Sequence, residues 1–416
     1  MSFFKTAIAA FFISICFTAN YSHAQTSVHR AALKRTIDSI LKSQVNADKI
    51  PGAVIEVKIG DEVIMKQAYG YAQKYDYEHR RLAHPDTMNT GTLFDIASLT
   101  KVVGTTTSIM LLVDRCLLHI DDPVGKYIKA FTSPDKASIT IRHLLTHTAG
   151  LYEWYPMFYR ASNKEQTFKL IGELPLAFQV GAGRHYSDLG FTILGEIIEK
   201  VSGMTLDQFE EQNIFAPLGM SHTLYNPLAK GKRDNIAATS FGNPFETRMV
   251  YDPSLGFQFR EIKHDQWNGW RHYVVRGEVN DGNAWYAEKG VAGAAGLFST
   301  VDDLQKLVDM LIHHGKVGSN QFVSEHTIQT FLTKDKFKNG LGWMMDPQNP
   351  VIEGGPEGTF GHTGFTGTSI AVVPSKNISV ILLINRQHEG LIENKAYYNV
   401  SPIREEIFKA VLHDAE

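Results

Sequence analysis

The pattern of apolar and polar positions predicts strands towards both ends of the chain and helices between them. Apolar residues recur at helical spacing over residues 26–43, which favours an opening amphipathic helix. Residues 53–59 and 62–68 form two strand-like runs, and the two-residue turn Gly60-Asp61 between them predicts a hairpin. The other predicted elements are helices over residues 100–118, 192–201 and 403–412, and strands over residues 359–373 and 378–384.

These elements predict an α/β (α+β) fold in which one antiparallel sheet is completed by strands from both ends of the chain. We expect a single domain over residues 25–416, with its sheet part at about 30–75 and 340–413 and its helical part at about 95–335. A cleft is expected where the helical part meets the edge of the sheet.

The first 24 residues have the pattern of a secretory signal peptide. Lys5 precedes an apolar run over residues 7–17, and the small residues Ser22 and Ala24 predict cleavage after Ala24. The alternative is a retained membrane anchor, but the run is shorter than the ~20 residues that a spanning helix needs. We therefore expect a secreted or periplasmic protein with no stable membrane insertion after cleavage.

Charge and cysteine content exclude several functions. The chain carries 41 Lys+Arg and 44 Asp+Glu, a net charge of −3, so it has no excess positive charge with which to bind nucleic acid. Of its 2 cysteines, Cys16 lies in the signal peptide, and Cys116 is expected in the core without a disulfide partner.

Nucleophile-elbow, zinc-protease and phosphate-loop motifs are missing, so we expect neither a metal nor an organic cofactor.

Ser98-Leu-Thr-Lys101 is the first candidate catalytic motif. It follows a short extended stretch and opens an apolar helix, so Lys101 lies one turn after Ser98 on the same face. A serine hydroxyl needs an adjacent base, and an amine can serve if burial and the helix N-terminus lower its pKa. Ser39 and Ser133 share the Ser-x-x-Lys spacing, but those segments are more simply an exposed helix face and a loop.

Two later motifs could complete a site. Tyr186-Ser-Asp188 precedes a helix, where the tyrosine could act as a base beside Lys101 or could be buried next to a helix-capping Asp188. In the glycine-rich segment 361–367, strand-edge amides could bind a carbonyl oxygen as it gains negative charge, with His362 and Thr363 facing the ligand. The alternative for that segment is a twisted edge strand with a surface histidine. Segment 290–296 is also rich in glycine, which favours tight packing over nucleotide binding.

Taken together, Ser98-x-x-Lys101, Tyr186-Ser-Asp188 and His362-Thr-Gly364 resemble the three motifs of the serine β-lactamase and penicillin-binding protein superfamily, specifically its class C-like hydrolases. The resemblance covers most of residues 30–413 and implies a β-lactamase/transpeptidase-like fold. It also implies that Ser98 is acylated, that Lys101 and Tyr186 share the proton transfers, and that the amides of Ser98 and Phe365 form the oxyanion hole. The substrate-binding residues that it implies are Asp188, His362, Thr363, Gly364 and Phe365.

Two departures from the superfamily's usual motifs bear on the substrate. Asp188 stands where many members have Asn, and His362 stands where β-lactamases and carboxypeptidases usually have Lys. A histidine with a pKa of ~6.5 is mostly neutral at pH 7, so recognition of a substrate carboxylate should weaken. The resemblance implies cleavage of a peptidoglycan-type D-amino-acid peptide, with a small-ester esterase or a β-lactamase as alternatives. A non-hydrolytic penicillin-binding receptor is the alternative from another class, and the presence of all three catalytic residues argues against it.

Overall fold

The computed structural model describes residues 29–257, 259 and 261–415, so the predicted signal peptide lies outside the described residues. The strands in this part of the chain are β1 Gly52–Ile59, β2 Glu62–Tyr75, β3 Arg81–Thr87, β4 Phe94–Asp95, β5 Leu224–Tyr225, β6 Ala238–Phe241, β7 Val274–Arg276, β8 Leu297–Ser299, β9 Lys316–Val317, β10 Asn320–Gln321, β11 Phe360–Thr363, β12 Ser369–Val373 and β13 Ile378–Ile384. The α-helices are α1 at residues 29–46, α2 Thr107–Asp114, α3 Ile141–Leu145, α4 Lys164–Glu173, α5 Asp188–Ser202, α6 Leu206–Glu210, α7 Ala216–Leu218, α8 Pro244–Tyr251, α9 Val301–Ile312, α10 Glu325–Phe331 and α11 Ser401–Asp414.

A six-stranded sheet joins the two ends of the chain, as the sequence predicts. Its strand order is β11-β12-β13-β1-β2-β3, and every neighbouring pair is antiparallel. The predicted hairpin is present as β1 and β2, and β1 also pairs with β13, with Ala53 opposite Ile384. The α/β fold with an antiparallel sheet is therefore confirmed.

Helices cover both faces of this sheet. On one face α1 and α11 pack against alternate residues of β1, through buried side chains such as Ile37, Ile55 and Ile407. On the other face α9 contacts β1 and β13, and the larger apolar core lies beyond it. Within that core α5 packs against α3, α4 and α6. Burial on both faces explains why the central strands are almost continuously apolar.

The predicted helix over residues 100–118 is divided into shorter pieces. A 3₁₀ turn at Ala97–Leu99 leads into a π-helical segment at Lys101–Thr106, and only then does α2 begin. The Thr107 hydroxyl donates to the carbonyl of Val102, five residues earlier, at 2.9 Å. The Thr105 hydroxyl donates to the Gly293 carbonyl at 2.7 Å, which ties the segment to the glycine-rich stretch 290–296.

Cys116 is not a core residue, contrary to the sequence prediction. The helix α2 ends at Asp114, and Cys116 has a φ of 56°, in the left-handed region. This turn directs the chain away from the core, and Cys116 is an exposed free cysteine. Leu117 is exposed as well, and the apolar run returns to the core at Leu118, which is buried.

The predicted strand over residues 359–373 is in fact a hairpin. β11 and β12 pair with each other, and residues 364–368 turn the chain between them. Glycine is required at two positions of this turn. A Cβ on Gly364 would collide with the carbonyl oxygen of Ile96, and Gly367 has a φ of 121° and lies against the carbonyl oxygen of Ile384.

Glycines in stretch 290–296 serve close packing, as expected. Gly293 lies against the carbonyl oxygen of Phe191 and the backbone of Gly195, both in α5, so a Cβ there would clash. In the described part of the chain, no helix is both long enough and apolar enough to span a membrane.

Candidate active site

Ser98 lies in a turn that the backbone holds under strain. The short strand β4 pairs with β8, and the Ile96 amide donates to the Leu297 carbonyl at 3.0 Å. Ala97 then has a φ of 46°, an unfavourable conformation for a residue with a side chain. The buried Asp95 carboxylate stabilises the turn by accepting from the Ala97 amide at 2.8 Å and from the Asn280 amide at 2.6 Å. Such strain is common where a reactive side chain must be presented.

Lys101 contacts Ser98 directly, as the spacing predicts. Its side chain is only 1% exposed, and its Nζ donates to Ser98 Oγ at 3.0 Å and to the Ala294 carbonyl at 2.8 Å. Nζ also forms an ion pair with Asp188 Oδ1 at 2.7 Å. The motif therefore brings an amine, a hydroxyl and a carboxylate into one cluster.

The charges around Lys101 keep it protonated. Burial alone lowers the pKa of Lys101, but the Asp188 carboxylate and Tyr186 raise it, and the net result lies above its ordinary value. The sequence analysis gave a lowered pKa only as the condition under which Lys101 could act directly as a base, and the resting enzyme does not meet that condition. The reason is that Asp188 supplies a full negative charge at ion-pair distance.

Tyr186 is held between Lys101 and a buried histidine. The Lys101 Nζ lies 5.3 Å from the centre of its ring, and the ring of His147 packs against it at a centroid distance of 4.3 Å. Burial raises the pKa of Tyr186, and the opposing effects of Lys101 and of a hydrogen bond with Ser98 do not cancel this increase. The phenol is therefore neutral at physiological pH.

Ser187 and Asp188 have different roles at the start of α5. The Ser187 hydroxyl is the N-cap, accepting from the Gly190 amide at 3.3 Å, so Asp188 is not the capping residue. Asp188 is the first residue of the helix, and its carboxylate turns towards Lys101. Nearby, burial and the charge of Asp188 raise the pKa of Asp281 to about 6.

The third motif contributes Thr363, Gly364 and Phe365 to the cavity lining, whereas His362 lies buried behind the lining, with its ring centre 6.1 Å from that of Tyr186. His362 is fully buried, whereas the sequence analysis expected it to face a ligand or the surface. Alternate residues of a strand point to opposite faces, so His362 and Thr363 cannot share one side of β11. Burial, with a smaller effect of Lys101, lowers the pKa of His362 to about 3, so it is neutral.

Two threonines fasten the turn 364–368 to the segment that precedes Ser98. Thr366 Oγ1 donates to the Asp95 carbonyl at 2.8 Å, and Thr368 Oγ1 donates to the Ile96 carbonyl at 3.1 Å. The edge of β11 therefore lies beside the Ser98 turn, which is the arrangement that the oxyanion-hole hypothesis requires. The roles of the Ser98 and Phe365 amides stay a prediction.

These groups line a cavity of about 500 Å³. Of the eight site residues predicted from the sequence, Ser98, Tyr186, Asp188, Thr363, Gly364 and Phe365 line it, Lys101 lies buried beside Ser98, and His362 does not reach it. The lining residues that sequence reasoning missed include Trp154, Glu246, Asn280, Asp281, Arg386 and Arg404. None of them belongs to a recognised motif, so only the fold could assign them to the cavity.

Comparisons with known proteins show which family this chain belongs to. The family model "Beta-lactamase" matches residues 37–401. An N-acetylmuramyl-L-alanine amidase of Bacillus subtilis is 31% identical over 404 residues, covering 91% of this chain and 86% of the relative. A protein of Escherichia coli O157:H7 whose assigned name is that of a D-alanyl-D-alanine carboxypeptidase is 33% identical over 378 residues, covering 86% of this chain and 83% of the relative.

A solved structure with the same fold comes from Caulobacter crescentus. It is a penicillin-binding protein homologue with a TM-score of 0.64 and 20% identity, and the match covers 93% of this chain and 97% of the homologue. The family model spans most of the chain, and the two relatives exceed 30% identity over most of its length. This protein therefore belongs to the β-lactamase family of serine hydrolases.

Proposed function

We propose that this enzyme cleaves an amide bond through an acyl-enzyme formed on Ser98. The single observation that carries the proposal is the Lys101 Nζ, which lies 3.0 Å from Ser98 Oγ and 2.7 Å from Asp188 Oδ1. Once Lys101 has passed its own proton to Asp188, it can serve as the proton acceptor that a serine nucleophile requires. The amides of Ser98 and Phe365 would bind the carbonyl oxygen as it becomes negative.

In our scheme Lys101 becomes a base only after it passes its own proton to Asp188. Lys101 is charged in the resting enzyme, so it first passes a proton to Asp188 Oδ1. The neutral amine then accepts the proton of Ser98 Oγ while Oγ forms a bond to the substrate carbonyl carbon. When the C–N bond breaks, Tyr186 protonates the leaving amine and recovers a proton from Lys101, which in turn recovers one from Asp188. The net result is that the serine proton reaches the leaving amine. Water then attacks the acyl-enzyme by the same steps in reverse and releases the carboxylic acid product.

We propose a peptidoglycan-type peptide containing D-amino acids as the substrate. The name of one relative, an N-acetylmuramyl-L-alanine amidase, supports a peptidoglycan-type amide, and that of the other, a D-alanyl-D-alanine carboxypeptidase, supports a D-amino-acid peptide. The signal-peptide pattern of residues 1–24 supports secretion to the compartment where such peptides occur.

The nucleophile is tested by intact-protein mass spectrometry after incubation with a fluorophosphonate probe and, separately, with a penicillin. We expect one covalent adduct on the wild-type protein and none on Ser98→Ala. Ser39→Ala is the matched control, because Ser39 has the same Ser-x-x-Lys spacing but lies exposed on α1. An adduct that survives Ser98→Ala, or no adduct on the wild type with either reagent, would contradict the mechanism.

The substrate class needs its own measurement. We expect the enzyme to release D-alanine from an N-acylated peptide ending in D-Ala-D-Ala and to leave the L,L diastereomer intact. Hydrolysis of p-nitrophenyl acetate alone would favour the esterase alternative, and rapid loss of the penicilloyl adduct with turnover would favour the β-lactamase alternative.

A further inference from the structure

Arg184 precedes Tyr186 by two residues, and its guanidinium lies beside the tyrosine ring. The guanidinium carbon is 5.7 Å from the ring centre, within the range of attraction between a cation and an aromatic face. Among the described residues, the Arg184 side chain forms no hydrogen bond or ion pair, and its Nε is buried without a partner. Within this part of the chain, the contact that uses the charge of Arg184 is therefore the one with Tyr186.

The positive charge of Arg184 is not neutralised by a neighbouring acid. Burial lowers the pKa of Arg184, and Tyr186 leads the groups that raise it, ahead of the carboxylates of Asp335, Asp346 and Glu153. Among the described residues, none of these three carboxylates lies within ion-pair distance of the guanidinium. An arginine keeps its proton inside proteins. Arg184 is therefore a fixed positive charge that acts on Tyr186.

Tyr186 has two positive charges and two neutral histidines around its ring. Lys101 Nζ is 5.3 Å and the Arg184 guanidinium 5.7 Å from the ring centre. The ring of His362 lies 6.1 Å away, at the position where β-lactamases and carboxypeptidases usually have lysine, but burial lowers its pKa to about 3. Burial keeps His147 neutral as well. Arg184 therefore supplies the second positive charge that the third motif does not.

A positive charge beside Tyr186 matters at one step of the proposed mechanism. When Tyr186 protonates the leaving amine, its O–H bond breaks, an N–H bond forms, and the phenol is left as an anion until Lys101 returns a proton. Burial opposes this ionisation, because it raises the pKa of Tyr186. A fixed positive charge next to the ring stabilises the anion, and it does so more strongly in a buried site than in water.

We infer that Arg184 is a positioning residue that stabilises the negative charge on Tyr186 while Tyr186 protonates the leaving group. This inference rests on the proposed function and adds a residue to its mechanism. Arg184 is not among the residues that line the cavity, so it acts through Tyr186 and not on the substrate. The step that depends on Arg184 is departure of a group that must gain a proton, and not attack by Ser98.

Two reagents that acylate or phosphonylate the serine separate these steps. Opening a penicillin ring breaks a C–N bond whose nitrogen must be protonated, whereas a fluorophosphonate loses fluoride, which leaves without a proton. Adduct formation is followed by intact-protein mass spectrometry at several reagent concentrations. We expect Arg184→Gln to lower the maximal rate with penicillin about tenfold, with the half-saturating concentration unchanged, and to alter the fluorophosphonate rate less than about twofold.

Ester hydrolysis repeats the comparison in turnover. Ethoxide must be protonated to leave, whereas p-nitrophenolate is a stable anion. In Arg184→Gln we therefore expect kcat for ethyl acetate to fall about tenfold and kcat for p-nitrophenyl acetate to change less than about twofold. Because these esters carry neither a carboxylate nor a D-amino acid, the result does not depend on the natural substrate.

Two further variants control for charge and for position. Arg184→Lys keeps a positive charge and should recover most of the penicillin rate. Arg81→Gln removes an arginine whose guanidinium lies 5.2 Å from the ring of Tyr71, outside the catalytic cavity, and should react like wild type with both reagents.

Three results with Arg184→Gln would overturn the inference. They are equal slowing with both reagents, no slowing with either, and a higher half-saturating concentration of penicillin at an unchanged maximal rate, which would make Arg184 a binding residue. The proposed function is judged separately, because it fails when the wild-type adduct is absent or is not on Ser98. The role of Arg184 is judged by the ratio of two rates within one variant.

Discussion

At the scale of single residues, Asp188 controls the charge of Lys101. Burial favours a neutral amine, but the carboxylate at 2.7 Å outweighs it and raises the pKa of Lys101 above its ordinary value. An asparagine at this position, usual in many members of the superfamily, could accept a hydrogen bond but could not supply that charge. With an acid at position 188, Lys101 must therefore first lose a proton before it can act as a base.

Asp188→Asn should therefore lower the pKa of Lys101. The opposite charge is removed while burial remains, so we expect a decrease of about 1 to 3 pH units. The measurement is an NMR titration of the Lys101 side chain in protein labelled with ¹³C-lysine. Asp302→Asn is the control, because Asp302 is also an acid in the first turn of a helix but lies away from Lys101. A Lys101 pKa that is the same in Asp188→Asn and wild type would refute the electrostatic account.

His147 contacts two residues of the second motif, Tyr186 and Ser187, and so holds the motif in position. Its Nδ1 accepts from the Ser187 amide at 3.0 Å, and its ring packs against Tyr186 at a centroid distance of 4.3 Å. Burial and then the charge of Arg184 hold the pKa of His147 well below its ordinary value, so its Nδ1 remains an acceptor. His147 also has a φ of 58°, in the left-handed region that asparagine tolerates better than most residues.

These contacts predict different effects for two substitutions. His147→Asn fits the backbone and can still accept from the Ser187 amide, whereas His147→Phe keeps an aromatic ring but leaves that buried amide without an acceptor. An unsatisfied buried amide costs about 1–3 kcal/mol, so His147→Phe should be the less stable variant in thermal unfolding. We expect both to lower kcat more than they change KM, because His147→Asn loses the ring that packs against Tyr186 and His147→Phe loses the hydrogen bond that holds Ser187 beside it. A purely structural role would leave kcat unchanged in His147→Asn.

At the scale of elements, three separate segments meet at Ser98. They are the turn after β4, the start of α5 and the turn 364–368 between β11 and β12. Thr366 and Thr368 connect the last of these to the backbone just before Ser98. The relative position of the hairpin and the nucleophile is therefore set by a few hydrogen bonds and by close backbone packing.

Gly364→Ala should disrupt this contact. The added Cβ would collide with the Ile96 carbonyl oxygen and with Thr368 Oγ1, so the hairpin must move away from Ser98. We expect kcat/KM to fall at least tenfold and the thermal unfolding temperature to decrease. Gly91→Ala is the control, since a Cβ there comes no closer than 3.5 Å to a neighbouring atom. Equal kcat/KM values for Gly364→Ala and the control would show that the close approach is unimportant.

Sequence reasoning predicts those parts of the site that depend on local order along the chain. The hairpin of β1 and β2 follows from alternation and a two-residue turn, and the Lys101–Ser98 contact follows from helical spacing. The π-helical segment and the exposure of Cys116 could not be predicted, because they depend on tertiary packing and on a left-handed turn. Arg386 and Arg404 were missed because they belong to no motif and line the cavity only once the chain is folded.

At the scale of the whole molecule, buried carboxyl groups link stability to pH. Glu210 is fully buried against Gly104 of the π-helical segment, and burial raises its pKa well above 4.5. Burial likewise raises the pKa of Glu288 well above 4.5 and that of Glu246 to about 8. The folded protein therefore retains protons that the unfolded chain releases once the pH exceeds about 4.5.

Glu210→Gln should flatten the pH dependence of stability. Because the folded state binds more protons than the unfolded state, the free energy of unfolding falls as the pH rises above 4.5, by up to about 1.4 kcal/mol per pH unit for each such group. A glutamine cannot ionise, so this variant should lose less stability than wild type between pH 5.5 and pH 8, measured by urea unfolding at each pH. Glu211→Gln changes the neighbouring exposed residue and should keep the wild-type slope. If Glu210→Gln also keeps that slope, Glu210 is ionised in the folded protein and a compensating charge must lie beside it.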